Sequence, residues 1–460
     1  MKRFLIPAGA VAALFAAASV FAAPSPGPEH RLVLVSVDGM PPTDYLEPDA
    51  HGLKVPNLRK LAAEGGFAHG VAGVLPTNTY PSHATLVTGV PPRIHRVLSN
   101  VIFDPGETSN HAWYWYADEV KAPTLASAAK AAGMKVGSIS WPSSLGLQAD
   151  ALFPDFWRTG STNPDDLRLL SLLSTPGLVA ATEKELGRGL SYPVTDDERT
   201  AMAIHVLETL RPELLQIHLL EYDHYEHENG IDSPQAKAAL ERDDADLGRL
   251  REAIGRLGLD GETLFAVVSD HGFLPTEIYL HPNAMLRDAG LLKLDDAGKV
   301  ASWKAIFWTQ GGSALLRLAD PQDRKTLDSV RALVSAKASE PGSGIAAVLS
   351  ADDVNRFGGD PDLTPLGLDA ASHYSFTFSA NEGWATPAID KAGHGFAPTH
   401  PELQASLLLD GAGVARRGDL GVVPMTAIAP TLAQWLGIQL DPRADSPRDW
   451  LEQPVSQHEP

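Results

Sequence analysis

The segment LPTNTYPSHATLVTG, residues 75 to 89, places Thr77 and Thr79 just ahead of a helical pattern. A threonine there serves either as a helix cap or, once stripped of its proton, as a nucleophile, and metal coordination is one of the few ways to strip it near neutral pH. Donors for such metals are spread through the chain. Asp38, Asp223 and Asp270 each stand at, or a few residues beyond, the end of a predicted strand. Singly, an aspartate at that place also suits a turn or a helix start. Histidines accompany them, however. Asp223 and His227 are spaced D-x-x-x-H and share one face if the segment is helical. Asp270 and His271 adjoin in SDHGF, and His394 lies between glycines in AGHGF, where the backbone can approach closely. Carboxylate oxygens and imidazole nitrogens without thiolates suit zinc or manganese, and six donors suit two ions.

Positioning these groups requires a sheet whose strands end at one edge. RLVLVSVDG (31–39), KVGSISW (135–141), ELLQIHLLEYD (213–223) and TLFAVVSDHG (263–272) read as buried strands, and ELQASLLLDG (402–411) repeats the pattern near the end. Between them TLASAAKAAG (124–133), DDERTAMAIHVLETLR (196–211), SPQAKAALERDDADLGRLREAIGRLG (233–258) and MTAIAPTLAQWLG (425–437) read as helices. The alternation predicts an α/β fold, a mostly parallel sheet with helices on both faces. In such sheets ligands bind at the carboxyl ends of the strands, where all three aspartates fall. Residues of about 145–195 and 274–390 break the rhythm and are expected to form cap insertions over one end of a single catalytic domain spanning 23–460.

The chain begins MKRFLIPAGAVAALFAAASVFAAPSPG, a basic start, a short apolar run and small residues. This predicts a signal peptide over 1–22, cleaved after Ala22, and hence a periplasmic or secreted protein without a membrane anchor. The 460 residues contain no cysteine, and the formal charge is −20. Such a charge, without a Lys/Arg-rich run, argues against a polymeric nucleic acid as partner. A small anion is still acceptable if metal ions supply positive charge locally.

VSVDGM, PTNTYPSHATLVTG, LLEYDHYEHENG, VVSDHGF and AGHGF together resemble, in order and spacing, the nucleotide pyrophosphatase/phosphodiesterases of the alkaline phosphatase superfamily. The resemblance implies that Thr79, directly before Tyr80-Pro81-Ser82-His83, is the nucleophile, and that Thr77 is not. It implies one zinc held by Asp223, His227 and His394. The second would be held by Asp38, Asp270 and His271, with Thr79 completing it. Asn100, in VLSNVIFD, matches the asparagine that donates to a phosphate oxygen. The implied reaction is hydrolysis of phosphodiester or pyrophosphate bonds through a phosphothreonine intermediate, on a small phosphodiester or nucleotide substrate. Two ions about 4 Å apart suit such an in-line displacement. Tyr80 is a candidate to lie against a base or other leaving group. His83 reads as a supporting or packing residue and His218 as a satisfied core histidine.

Departures from the family pattern bear on the pocket and spare the ligands. Its Phe-Pro-Asn-His is here Tyr-Pro-Ser-His, its His-Gly-Ile is His95-Arg96-Val97, and its acidic-Pro-Asp is Glu221-Tyr222-Asp223. Arg96 either adds charge near the phosphate or faces solvent. With Asn100 the one further phosphate donor matched, a singly charged diester is favoured over a monoester dianion. TGVPPRIH also resembles phosphonoacetate hydrolases, which leaves a phosphonate hydrolase, or a phosphomonoesterase, as the alternative chemistry. The alternative of another class is a secreted binding protein without catalysis.

Overall fold

The computed structural model describes residues 30–452 apart from 107–111, 159–160, 162 and 164. The leader predicted over 1–22 lies outside the described residues. No described helix is long and apolar enough to cross a membrane.

The central sheet takes its strands from the expected runs. These are β1 (Arg31–Val37), β2 (Gly66–Phe67), β3 (Val136–Ile139), β4 (Ala151–Phe153), β5 (Leu214–Leu219) and β6 (Thr263–Val268). Two later strands that join it, Leu407–Gly411 and Gly418–Asp419, are β12 and β13. Their order is β13-β2-β12-β6-β1-β5-β3-β4. From β6 to β4 every pairing is parallel, and β12 alone runs against its neighbours β6 and β2. All seven residues of β1 are buried, as expected of a strand covered on both faces. Val33, Val35 and Val37 pack on one side with Met202, Val206, Leu247 and Leu250, while Leu32 and Leu34 pack on the other with Leu86, Leu125 and Leu432.

Three of the helices that cover the sheet begin where the sequence supplies a side-chain cap. In α1 (Thr79–Thr88) the N-cap is Asn78, and Gly89 closes the helix at φ 71°. The Thr124 hydroxyl caps α2 (Leu125–Ala131), Thr195 caps α3 (Asp196–Leu210), and Ser233 caps α5 (Pro234–Arg256). Between α3 and α5 lies α4 (Glu221–Asn229), which follows β5 directly.

Within 145–195, β4 forms an edge of the central sheet and the helices Asp166–Leu173 and Leu178–Leu186 follow it. Within 274–390, strand β7 (Leu274–Leu280) pairs with His373–Phe376 and Ala385–Pro387. A separate antiparallel sheet is built from β8 (Ala305–Thr309), β9 (Ser313–Leu318), β10 (Ile345–Ser350) and β11 (Leu366–Ala370), in the order β8-β9-β11-β10. It has its own core, where Phe307, Leu316 and Leu368 meet Leu327, Val330 and Val334 of the helix Arg324–Ala338.

Candidate active site

Three neighbouring parallel strands deliver the carboxylates to one edge. Asp38 directly follows β1, Asp270 lies two residues beyond β6, and Asp223 sits in the first turn of α4 after β5. His227 is one turn further along α4. His394 arrives from a loop after the short strand Ala392–Gly393, which pairs with β7. The six side chains form two groups: donor atoms of Asp38, Asp270 and His271 lie within 4.8 Å of one another, and so do those of Asp223, His227 and His394. The His271 and His394 rings stack at 3.8 Å, so the two groups are adjacent.

His271 Nε2 lies 3.1 Å from Asp270 Oδ2 and 3.5 Å from Asp38 Oδ1. Asp223 Oδ2 lies 3.6 Å from His227 Nε2 and 3.8 Å from His394 Nε2. Partners behind the rings set their tautomers. His227 Nδ1 donates to Ala392 O at 3.0 Å, and His394 Nδ1 to Asn78 Oδ1 at 2.9 Å. Both Nε2 lone pairs are thereby left on the Asp223 side. The second oxygens of the buried carboxylates are also committed: Asp270 Oδ1 accepts from Gly39 N, and Asp38 Oδ2 from His218 Nε2. By contrast, Asp38 Oδ1, Asp223 Oδ2 and Asp270 Oδ2 are buried without a hydrogen-bond partner. Orphaned carboxylate oxygens beside unprotonated imidazole nitrogens fit divalent cations.

Electrostatics carry the same signature. Burial pushes the carboxyls of Asp38, Asp270 and Asp223 up, and for Asp38 the nearby Asp223 charge adds to it. Burial and neighbouring imidazoles hold His271 and His394 well below the ordinary histidine value. Desolvation and like-charge repulsion disfavour three carboxylates here in the absence of cations.

Thr79 is the first residue of α1, and its Oγ1 lies 3.5 Å from His271 Nε2. Thr77 does different work: its hydroxyl donates to Phe396 O and its carbonyl accepts from Gly395 N, clamping the His394 loop. His83 supports α1 from beneath, with Nδ1 2.8 Å from Thr79 O and Nε2 2.8 Å from Ser36 Oγ. Asn100 Oδ1 accepts from Tyr80 N at 2.8 Å, which orients its amide and leaves Nδ2 without a protein partner among the described residues. Arg96 is paired with Asp360.

Asp38, Thr79, Asp223 and His227 line a cleft of about 410 Å³, together with Trp113, Asp155, Phe156, Trp157 and Tyr192 from outside the metal-ligand motifs. Tyr80 is fully buried, its hydroxyl donating to Asp155 Oδ2 and its ring meeting Trp113 and Trp157 edge-on. Trp113 and Trp157 are among the partly exposed rings of the cleft, with Phe156 and Tyr192, and sequence reasoning missed the two tryptophans. Both belong to loops without a motif. Arg199 also borders the cleft, but its guanidinium is occupied by Ser140 Oγ, Val194 O and Asp196 Oδ1.

This architecture is shared with solved structures. Human ectonucleotide pyrophosphatase/phosphodiesterase 5 superposes with a TM-score of 0.64 at 19% identity, over 90% of this chain and 96% of that one. An inactive threonine-to-alanine variant of the murine counterpart, in complex with AMP, gives 0.65 at 18% identity over 92% and 100%. The fold is that of the alkaline phosphatase superfamily. Residues 32–397 match the model of the type I phosphodiesterase/nucleotide pyrophosphatase family, and the chain belongs to it. Among curated proteins it is similar to ectonucleotide pyrophosphatase/phosphodiesterase family member 1 of Homo sapiens, 28% identical over 306 residues, which is 64% of this chain. It is also 24% identical over 269 residues to the venom phosphodiesterase of Macrovipera lebetinus, 56% of this chain. The aligned region spans 27% of the length of each of these relatives.

Proposed function

We propose that this chain hydrolyses phosphodiester or pyrophosphate bonds of small, nucleotide-type substrates, with Thr79 as nucleophile and two divalent cations, zinc foremost, as cofactors. The observation that carries the proposal is the gathering of Asp38, Asp270 and His271 beside Asp223, His227 and His394, with Thr79 Oγ1 at their edge. Asp38, Asp270 and His271 would hold one cation and Asp223, His227 and His394 the other. When bound, the pair supplies Lewis acidity toward the attacking and leaving oxygens.

The protein's own groups do the rest. His83 and the start of α1 hold the Thr79 backbone, so its hydroxyl faces the cleft at a helix N-terminus that favours anions. Tyr80 N is already used by Asn100, and Pro81 has no N–H. The Thr79 N–H, without a partner among the described residues, and Asn100 Nδ2 are therefore the donors left for non-bridging oxygens. Two neutral donors, with no uncommitted arginine lining the cleft among the described residues, suit the single negative charge of a diester. Thr79 displaces one substituent, which leaves with a proton, and forms a threonine phosphoester that keeps the other substituent. Water then cleaves this ester, releasing the monoester product and restoring the Thr79 hydroxyl. Trp113 and Trp157 offer aromatic surface to the substrate's organic part, as a nucleobase would use. The segment 145–195 acts as a cap that shapes this cleft, supplying Asp155, Phe156, Trp157 and Tyr192 to its lining, and the leader directs the chain to the periplasm or outside the cell.

An assay set of a dinucleotide-type diester, a simple monoester and phosphonoacetate tests this reading. Diesterase activity should dominate, vanish with a chelator and return better with zinc than with magnesium. Comparable or higher monoesterase or phosphonatase rates would overturn the substrate assignment.

A further inference from the structure

Asn78 stands at the N-cap of α1, with φ −117° and ψ 154°, yet its side chain caps nothing in that helix. Asparagine is favoured at this position because its oxygen accepts an amide of the first turn. Here the carboxamide is turned away. Its Oδ1 accepts from His394 Nδ1 at 2.9 Å, and its Nδ2 donates to Gln310 Oε1 at 3.3 Å. Gln310 lies in the hairpin between β8 and β9, and the Asn78 side chain is 4% exposed between these partners. Gly395 makes the approach possible. It has φ +84°, and a Cβ there would meet Gln310 O at 1.7 Å and Asn78 Oδ1 at 2.6 Å.

We infer that Asn78 is a positioning residue for His394, and that through Gln310 it couples the β8–β9 hairpin to the cation set of Asp223, His227 and His394. The inference rests on the two-metal reading. By accepting the Nδ1 proton at 2.9 Å, with Thr77 O the longer partner at 3.2 Å, Asn78 keeps the Nε2 lone pair toward Asp223 Oδ2, 3.8 Å away. Its carboxamide is free for this task because the usual cap positions of α1 need none: Tyr80 N donates to Asn100 Oδ1 and Pro81 has no N–H. The residue before the nucleophile thus sets the register between the attacking hydroxyl and one cation. The other set lacks this dependence, since Asp38 and Asp270 are held by His218 and Gly39 N.

The test is competition between the full chain and a chromogenic chelator for zinc. The unaltered chain should hold two equivalents. Asn78→Ala should weaken one of them by about 10- to 100-fold, with the other unchanged and the melting temperature nearly so. Asn78→Asp keeps an oxygen acceptor for Nδ1 and should restore the affinity. Gln310→Ala, which removes only the outer partner, should weaken the same equivalent by less. Two equivalents held equally tightly by Asn78→Ala and the unaltered chain would overturn the role of Asn78, as would failure of Asn78→Asp to rescue. Should Asn78→Ala not fold, the Gln310→Ala titration decides: no weakening there overturns the coupling. Absence of zinc binding by the unaltered chain would instead sink the two-metal reading itself.

Discussion

His218 Nε2 sits 2.9 Å from Asp38 Oδ2, joining the penultimate residue of β5 to the residue that directly follows the adjacent strand β1. Its Nδ1 lies 3.1 Å from Ser140 O, so both ring nitrogens are occupied and the imidazole is locked. An apolar strand run makes this histidine look like a satisfied core residue, and it is satisfied, but by a carboxylate of the candidate cation site. With Oδ2 engaged by His218, Asp38 Oδ1 is left facing His271. Replacing His218 by alanine should therefore weaken zinc at the Asp38, Asp270 and His271 set by about 10- to 100-fold. Metal analysis after dialysis should find one equivalent lost. Retention of both equivalents would show that Asp38 needs no such support.

Thr79→Ala should keep the fold and the bound metal, because it removes only a hydroxyl and a methyl group while six other side chains supply the cation donors. Turnover of a diester should fall by about 10³-fold or more, whereas Thr77→Ala should reduce it far less. Acid quenching of the unaltered chain during turnover should give a peptide in which Thr79 carries the phosphoryl group together with the substituent it retains from the substrate. A phosphopeptide that survives in Thr79→Ala would place the attacking group elsewhere.

The sheet was readable because its strands are covered on both faces. A run such as RLVLVSV cannot be half-exposed, so its length and position follow from hydropathy alone. Asp223 and His227 were readable for a similar reason, since four-residue spacing on a helix has one geometric outcome. Asn78 was not readable. Its sequence context says N-cap, and its partner His394 is 316 residues away. Trp113 and Trp157 lie in loops, where no period marks which ring faces a cleft. The antiparallel course of β12 was equally hidden, because strand direction depends on the path of the intervening connection.

Trp113 and Trp157 pack edge to face at 4.8 Å and present their remaining surface to the cleft. Stacking of a base on such a ring is worth about 1–3 kcal/mol. Trp113→Ala should therefore raise KM for a dinucleotide-type diester by about 5- to 100-fold, while a diester carrying only methyl substituents should be nearly unaffected. Equal losses on both substrates would mean that the ring supports the site's shape and does not hold the base.

His400 and Asp369 tie the smaller sheet to the loop that carries His394. His400 Nε2 lies 2.8 Å from Asp369 Oδ2, while Asp369 Oδ1, on β11, accepts from Ala397 N at 2.8 Å. The hydrogen bond to Asp369 raises the imidazole above its ordinary value of 6.5, against partial burial, with the Asp369 and Glu402 charges adding to the rise. A base whose folded value is raised contributes stability that is fully present below its unfolded value and lost as pH climbs through the folded one. His400→Gln should thus lower the melting temperature clearly at about pH 5.5 and much less at about pH 9. Melts of the two proteins across this range should converge as pH rises, since only the protonated imidazole makes an ion pair that glutamine cannot replace. A constant gap across the range would reduce the pair to packing and a neutral hydrogen bond.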